Sequence, residues 1–111
     1  MKISRALAAL WVVEATSLPL LVLAAIFALT GYQLVHPSIA LFPRASAIHG
    51  DPLLRTSLIV LGSLHAASGL VLICERRIRR RLLRDFLELA SVATIFGLSS
   101  YLLALDAARL P

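Results

Sequence analysis

Three long stretches of this sequence carry no charged residue, and each is long enough to cross a lipid bilayer. They cover residues 15–35, 56–74 and 89–105. A transmembrane helix needs about 20 apolar residues to cross about 30 Å of hydrocarbon, and its backbone amides must be bonded within the segment. The sequence therefore predicts an all-α integral membrane protein, a single transmembrane domain over residues 1–111 with three transmembrane helices at about 6–34, 53–75 and 84–105.

Composition and proline positions support this prediction. Apolar residues make up 59% of the 111 residues, above the range of about 45–50% that is typical of soluble domains. Pro19 is expected to kink the first helix, whereas Pro37, Pro43 and Pro52 are expected to keep the following loop free of helix. Glu14 interrupts the first apolar run, and the rest of that run is too long for a signal peptide, so we expect a retained anchor.

The distribution of basic residues predicts the orientation in the membrane. Lys2 and Arg5 precede the first helix, and an even number of crossings separates them from the loop at 75–84. That loop holds Arg76, Arg77, Arg79, Arg80, Arg81 and Arg84. Because cytoplasmic segments carry the excess of Lys and Arg, we expect both regions on the cytoplasmic side of the inner (cytoplasmic) membrane, and residues 36–55 on the outer face.

The net charge of +5 is explained by this topology and does not indicate nucleic-acid binding. Two interpretations of the arginine loop remain open. It is a solvated loop that obeys the topology rule, or it is a docking surface for anionic lipid headgroups or an acidic soluble subunit.

His65 is the candidate functional residue, because it lies in the second span among apolar and small residues. Arg76 follows it by 11 residues, about 16 Å along a helix and on nearly the same face. Polar groups at this depth usually have a function. Gly62 and Gly69 lie one turn either side of His65 and would let a second helix or a flat macrocycle come close.

A neutral imidazole in this setting suggests an axial ligand of a b-type haem, with Arg76 placed to bind a propionate. The second ligand is expected from a partner subunit, since His36 and His49 fall in the outer loop and are expected to be surface histidines. The alternative is a structural His65, hydrogen-bonded to a neighbouring helix such as the one carrying Ser91, Thr94, Ser99 and Ser100.

The stretch LGSLHAASGLVLICERR, residues 61–77, resembles the second transmembrane helix of membrane-anchor (cytochrome b) subunits of succinate dehydrogenase and fumarate reductase. His65 matches the haem ligand, and Leu64, Ala66 and Gly69 match the helix pattern. The resemblance implies a second membrane-anchor subunit, cytoplasmic iron-sulfur and flavoprotein partners, and a nearby quinone. The family's Asp-Tyr pair is replaced by the residues from Glu75 to Arg77.

Glu14, Ser17 and Glu75 are the candidate quinone contacts. Glu14 lies in the cytoplasmic third of the first helix, where a carboxyl group could deliver a proton to a reduced quinone. The alternative is that Glu14 lies close enough to the lipid headgroups to remain hydrated, or pairs with an arginine such as Arg84.

A second resemblance rests on LTGYQLVHP, residues 29–37, which looks like small subunits of the cytochrome b561 or ferric-reductase type. No phosphate loop, Ser-His-Asp arrangement, zinc spacing or carboxylate pair is found, so a self-sufficient enzyme is not expected. The sequence thus predicts a non-catalytic subunit that binds haem b and passes electrons between an iron-sulfur partner and quinone. The alternative from a different functional class is a haem-free accessory subunit that stabilises a membrane complex.

Overall fold

A computed structural model describes residues 4–109. It contains three long helices and one short one: α1 (Arg5–Val35), α2 (Ala45–His49), α3 (Pro52–Arg77) and α4 (Arg81–Arg109). The three long helices are each long and apolar enough to cross a membrane. The expected all-α fold with three transmembrane helices is confirmed, and the chain is a multi-pass membrane protein.

Side-chain caps define where α1 and α3 begin. The Ser4 hydroxyl accepts a hydrogen bond from the Leu7 amide at 3.1 Å. The Asp51 carboxylate accepts one from the Leu54 amide at 2.9 Å. Pro52 is the first residue of α3, a position where its missing N–H costs nothing. Each cap satisfies an amide that the helix itself leaves without a partner.

The loop between α1 and α3 is more ordered than its prolines suggest. The Gln33 side chain donates to the Phe42 carbonyl at 2.8 Å and accepts from the Leu41 and Phe42 amides. The expectation that this loop forms no helix was wrong, because α2 forms between Pro43 and Pro52. Its residues Ala45–His49 contain no proline, so a short turn of helix can form and pack on α1.

The central element of the bundle is α3. It packs along α1 on one side and along α4 on the other, whereas over the described residues the backbones of α1 and α4 do not pack together. The bundle is elongated, with extents of 53 × 28 × 26 Å. We call the end that carries Arg5 and the α3–α4 connection the arginine end, and the end that carries α2 the loop end.

The interior is built from small and polar side chains. The buried residues are Ala9, Thr16, Thr30, Ala45, Ser63, Ala67, Cys74 and Glu88. Large apolar side chains such as Leu18, Val35 and Leu82 are exposed instead, at 69%, 73% and 87%. Small interfacial residues let transmembrane helices approach closely, while lipid solvates the large apolar ones. This inside-out distribution agrees with three helices in a bilayer.

Candidate functional site

The histidine singled out by the sequence contacts α1. His65 lies in the middle of α3, and its Nδ1 atom is 3.0 Å from the Thr16 hydroxyl. The imidazole is half-buried and Thr16 is buried. The serine-bearing helix that was suggested as a partner for a structural His65 does not hold this ring: on α4, Ser99 hydrogen-bonds to Ser63 instead. The contact therefore joins α3 to α1 and leaves α4 on the opposite side of α3.

The second contact of Thr16 favours one tautomer of His65. The Thr16 hydroxyl is 2.7 Å from the Val12 carbonyl, which can only accept. With the hydroxyl proton assigned to Val12, the hydroxyl oxygen accepts from the imidazole and Nδ1 carries the proton. Nε2 is the unprotonated nitrogen in this assignment. A histidine held through Nδ1–H is the usual arrangement for a metal ligand.

The glycines beside His65 have different surroundings. Gly62 faces α1, where a Cβ at that position would lie 4.0 Å from the Leu20 side chain. Gly69 has nothing within 4 Å of a Cβ position. Gly62 thus serves helix packing, whereas Gly69 leaves open space on α3 one turn from His65.

His49 makes the same contact as His65 at the loop end. Its Nδ1 atom is 3.0 Å from the hydroxyl of Thr30, which in turn donates to the Ile26 carbonyl at 2.7 Å. The ring also lies 5.3 Å from that of Phe27 and closely against Gly31. The expectation of a surface position for His49 was wrong, because the ring packs against Thr30 and Gly31 of α1.

The two other histidines do not lie near His65. His36 is exposed beside Tyr32, with ring centroids 4.6 Å apart. Thr30, which holds His49, follows Thr16 by 14 residues of α1, or about 21 Å. Among the described residues, no group of three or more His, Cys, Asp or Glu side chains could hold a metal ion.

Charged side chains from α1, α3 and α4 form a cluster of ion pairs at the arginine end. The Arg5 guanidinium contacts Asp85 and Glu88, each at 2.9 Å, and Glu75 at 3.2 Å. Arg84 lies 3.5 Å from Glu75. We call these five residues the Arg5 cluster. It joins the start of α1 to α3 and α4, whose charged side chains would otherwise be left unpaired at the edge of the bundle.

The predicted quinone contacts are separated in the fold. Glu75 belongs to the Arg5 cluster, but Glu14 and Ser17 lie on an exposed face of α1. The anticipated Arg84 partner of Glu14 contacts Glu75 instead. Arg76 is exposed at the end of α3.

Sequence reasoning missed Arg5 and Glu88 as site residues. Arg5 was considered only as part of the basic segment that sets the orientation, and Glu88, which borders the uncharged run at 89–105, was not considered as a site residue. The signal was present, because an acidic residue at the edge of an apolar span is commonly paired with a cation. The sequence alone does not say which cation provides it.

A cleft of about 420 Å³ lies between α1 and α4, with α3 as its floor. Arg5 and Glu88 lie at its polar end. Its other lining residues are mostly apolar: Ala8, Ala9, Val12, Leu64, Ala67, Ser68, Val71, Leu89, Val92 and Phe96. The cleft exists because α1 and α4 do not pack against each other along this length.

Comparison with known proteins returns nothing similar: no protein-family model, curated protein or solved structure matches the chain.

Proposed function

We propose that this chain is a membrane-anchor subunit that supplies His65 as one axial ligand of a haem b. The observation that carries the proposal is the 3.0 Å contact between His65 Nδ1 and the Thr16 hydroxyl. With Thr16 donating to the Val12 carbonyl, this contact leaves Nε2 as a Lewis base inside an apolar span. The open space at Gly69 supports it, since a flat macrocycle needs a face without side chains.

The second axial ligand comes from another subunit in this proposal, because His36 and His49 lie at the loop end. The partner is a second membrane-anchor subunit that brings a histidine to the open side of α3. When bound, the haem supplies reversible one-electron chemistry. Thr16 orients the imidazole and holds its proton on Nδ1, and the surrounding apolar residues exclude water.

The arginine end is the proposed docking side for a cytoplasmic iron-sulfur subunit that accompanies a flavoprotein. Besides Arg5, the exposed arginines of the α3–α4 connection lie there, Arg76, Arg77, Arg79, Arg80 and Arg81, and they favour an acidic partner surface. The chain would then pass electrons between that partner and membrane quinone. Glu14 and Ser17 are not included in the proposed quinone contacts, since they lie away from the Arg5 cluster.

The test is the reduced-minus-oxidised visible spectrum of the complex purified in detergent. The wild type should show the α-band of a b-type haem, and His65→Ala should lose it with the subunits still assembled. His49→Ala is the matched control, because His49 has the same threonine contact but lies at the loop end. An α-band that persists in His65→Ala, or its absence from the wild type, contradicts the proposal.

A haem-free accessory subunit is the second candidate, and the same hydrogen bond favours it. His65 already has a partner for its N–H in Thr16, so the ring also serves as a link between α1 and α3. This candidate expects no haem in the wild type and a loss of thermal stability in His65→Ala. The spectrum and the melting curve together distinguish the two functions.

A further inference from the structure

The Arg5 cluster contains two buried carboxyl oxygens that lack a hydrogen bond. Over the part of the chain that the structure describes, Glu75 Oε1, Glu88 Oε1 and Arg84 Nε are the buried side-chain atoms without one. Arg84 Nε lies 3.5 Å from the other oxygen of Glu75, Oε2, and forms an ion pair with it. The two Oε1 atoms remain as acceptors without a donor, which is uncommon for buried polar atoms.

The two carboxyl groups lie side by side around one guanidinium. Glu75 is within hydrogen-bonding reach of Glu88. Arg5 contacts Glu75 Oε1 at 3.2 Å and Glu88 Oε2 at 2.9 Å. If both groups are ionised they offer only lone pairs to each other, and their charges repel. One proton turns one carboxyl into a donor, and the other then accepts the hydrogen bond.

The charge of the cluster also calls for one proton. Arg5 and Arg84 contribute two positive charges, and Glu75, Asp85 and Glu88 contribute three negative ones if all are ionised. The excess is a single negative charge. A single bound proton therefore makes the cluster neutral and leaves each arginine with a carboxylate to pair with.

Exposure indicates which carboxyls hold that proton. The side chain of Asp85 is 43% exposed, so water stabilises its charge. The side chains of Glu75 and Glu88 are only 15% and 6% exposed, and burial disfavours a second negative charge between them. Arg5, at 54% exposure, connects the buried pair to the aqueous edge of the bundle.

We propose that Glu75 and Glu88 form a proton-binding site, in which one proton is shared between their carboxyl groups and makes the Arg5 cluster neutral. The backbones of α1 and α4 do not pack together over the described residues, so the ion pairs of Arg5 connect these helices at the arginine end. The bound proton stabilises that connection, and its release leaves two adjoining negative charges beside Arg5. The site makes the attachment of α1 sensitive to pH.

Infrared spectroscopy of the full chain in detergent tests for the proton. The chain contains three glutamates, Glu14, Glu75 and Glu88. In a Glu14→Gln background, isotope-labelled glutamate therefore reports on the pair alone. At neutral pH we expect one labelled protonated carboxyl band together with one carboxylate band, and only the carboxylate band in Glu88→Gln. The control Asp106→Asn, which removes a carboxylate paired with Arg55 at the loop end, should keep both bands.

The stability of the protein should fall as the pH rises above neutrality. Glutamates of the unfolded chain are ionised there, so the folded state binds one proton more than the unfolded state. The unfolding equilibrium constant should then increase by up to about tenfold per pH unit until the pair loses its proton. In Glu88→Gln, and separately in Glu75→Gln, the amide supplies the donor and removes the charge. Both variants should lose this pH dependence, and Asp106→Asn should keep it.

Two results would overturn the proposal. One is a pair of labelled carboxylates without a protonated band at neutral pH, as expected if a water molecule supplies the donor. The other is a pH dependence that persists unchanged in both Glu75→Gln and Glu88→Gln. Neither measurement requires haem, so this proposal and the proposed function can fail independently of each other.

Discussion

His65 and His49 bind α1 in the same way, each with its Nδ1 atom 3.0 Å from a threonine hydroxyl that donates to a carbonyl one turn earlier. The two threonines, Thr16 and Thr30, are 14 residues apart and lie on nearly the same face of the helix. Each hydroxyl satisfies a donor of the ring and an acceptor of its own helix. Both imidazoles are therefore held in one tautomer, and both connect α1 to the elements that follow it.

Removal of the threonine acceptor should release the His65 tautomer. In Thr16→Val the side chain keeps its shape but cannot accept from Nδ1, so the ring should populate both neutral tautomers. We expect a loss of about 1 kcal/mol in stability, the size of an interhelical hydrogen bond in a membrane. Nitrogen NMR of labelled histidine reports the tautomer directly.

Thr94→Val is the control for that experiment. Thr94 also donates to a carbonyl of its own helix, Ala90 at 2.7 Å, but it is exposed and contacts no histidine. It should leave the His65 spectrum unchanged. A single protonated Nδ1 in Thr16→Val would contradict the assigned role of Thr16.

Gly31→Ala should weaken the packing of α2 on α1. A Cβ at Gly31 would lie 3.0 Å from His49 Cε1, tighter than most packed contacts, so the imidazole must shift by a few tenths of an ångström. We expect faster amide exchange over residues 45–49 and a lower melting temperature. Gly97→Ala should act in the opposite direction: nothing lies within 4 Å of its Cβ position, and alanine in a helix interior is favoured over glycine by up to about 1 kcal/mol. Equal melting temperatures for the two variants would contradict the packing of His49.

The Arg5 cluster should behave as a coupled unit. Arg5→Gln leaves the buried Glu88 carboxylate without its cation, so the melting temperature should fall. Glu88→Gln on that background should restore part of the loss, because it removes the unpaired buried charge. Arg80→Gln, at an exposed position, should have little effect. Additive losses in the double variant would show that Arg5 and Glu88 are not coupled.

The predicted orientation can be tested with single cysteines. Cys74 is buried and is the only cysteine of the chain, so Cys74→Ala provides a background without thiols. On that background, an impermeant maleimide should label Ser38→Cys in intact cells and should label Arg79→Cys only after the membrane is opened. The reverse pattern would invert the orientation inferred from the arginines.

Much of the candidate site could be inferred from residue type and position. His65 and its glycines were predicted as a group, since an imidazole and two glycines within one apolar span are unusual. Their different surroundings could not be predicted, because Gly62 faces Leu20 and Gly69 faces open space only once α1 is docked. The Arg5–Glu88 pair could not be predicted from the sequence either, because its members are 83 residues apart.

The sequence by itself determined the number of spans, their approximate limits and the absence of an ordinary soluble core, because apolar length is measured against a fixed hydrocarbon thickness. The tertiary structure decided which face of each helix meets its neighbour. A span that is apolar on all sides carries little angular information about its packing. Small residues and a few hydrogen bonds determine how each helix is rotated and which helix it contacts. That rotation places Thr16 beside His65, packs His49 against α1 and forms the cleft beside Arg5.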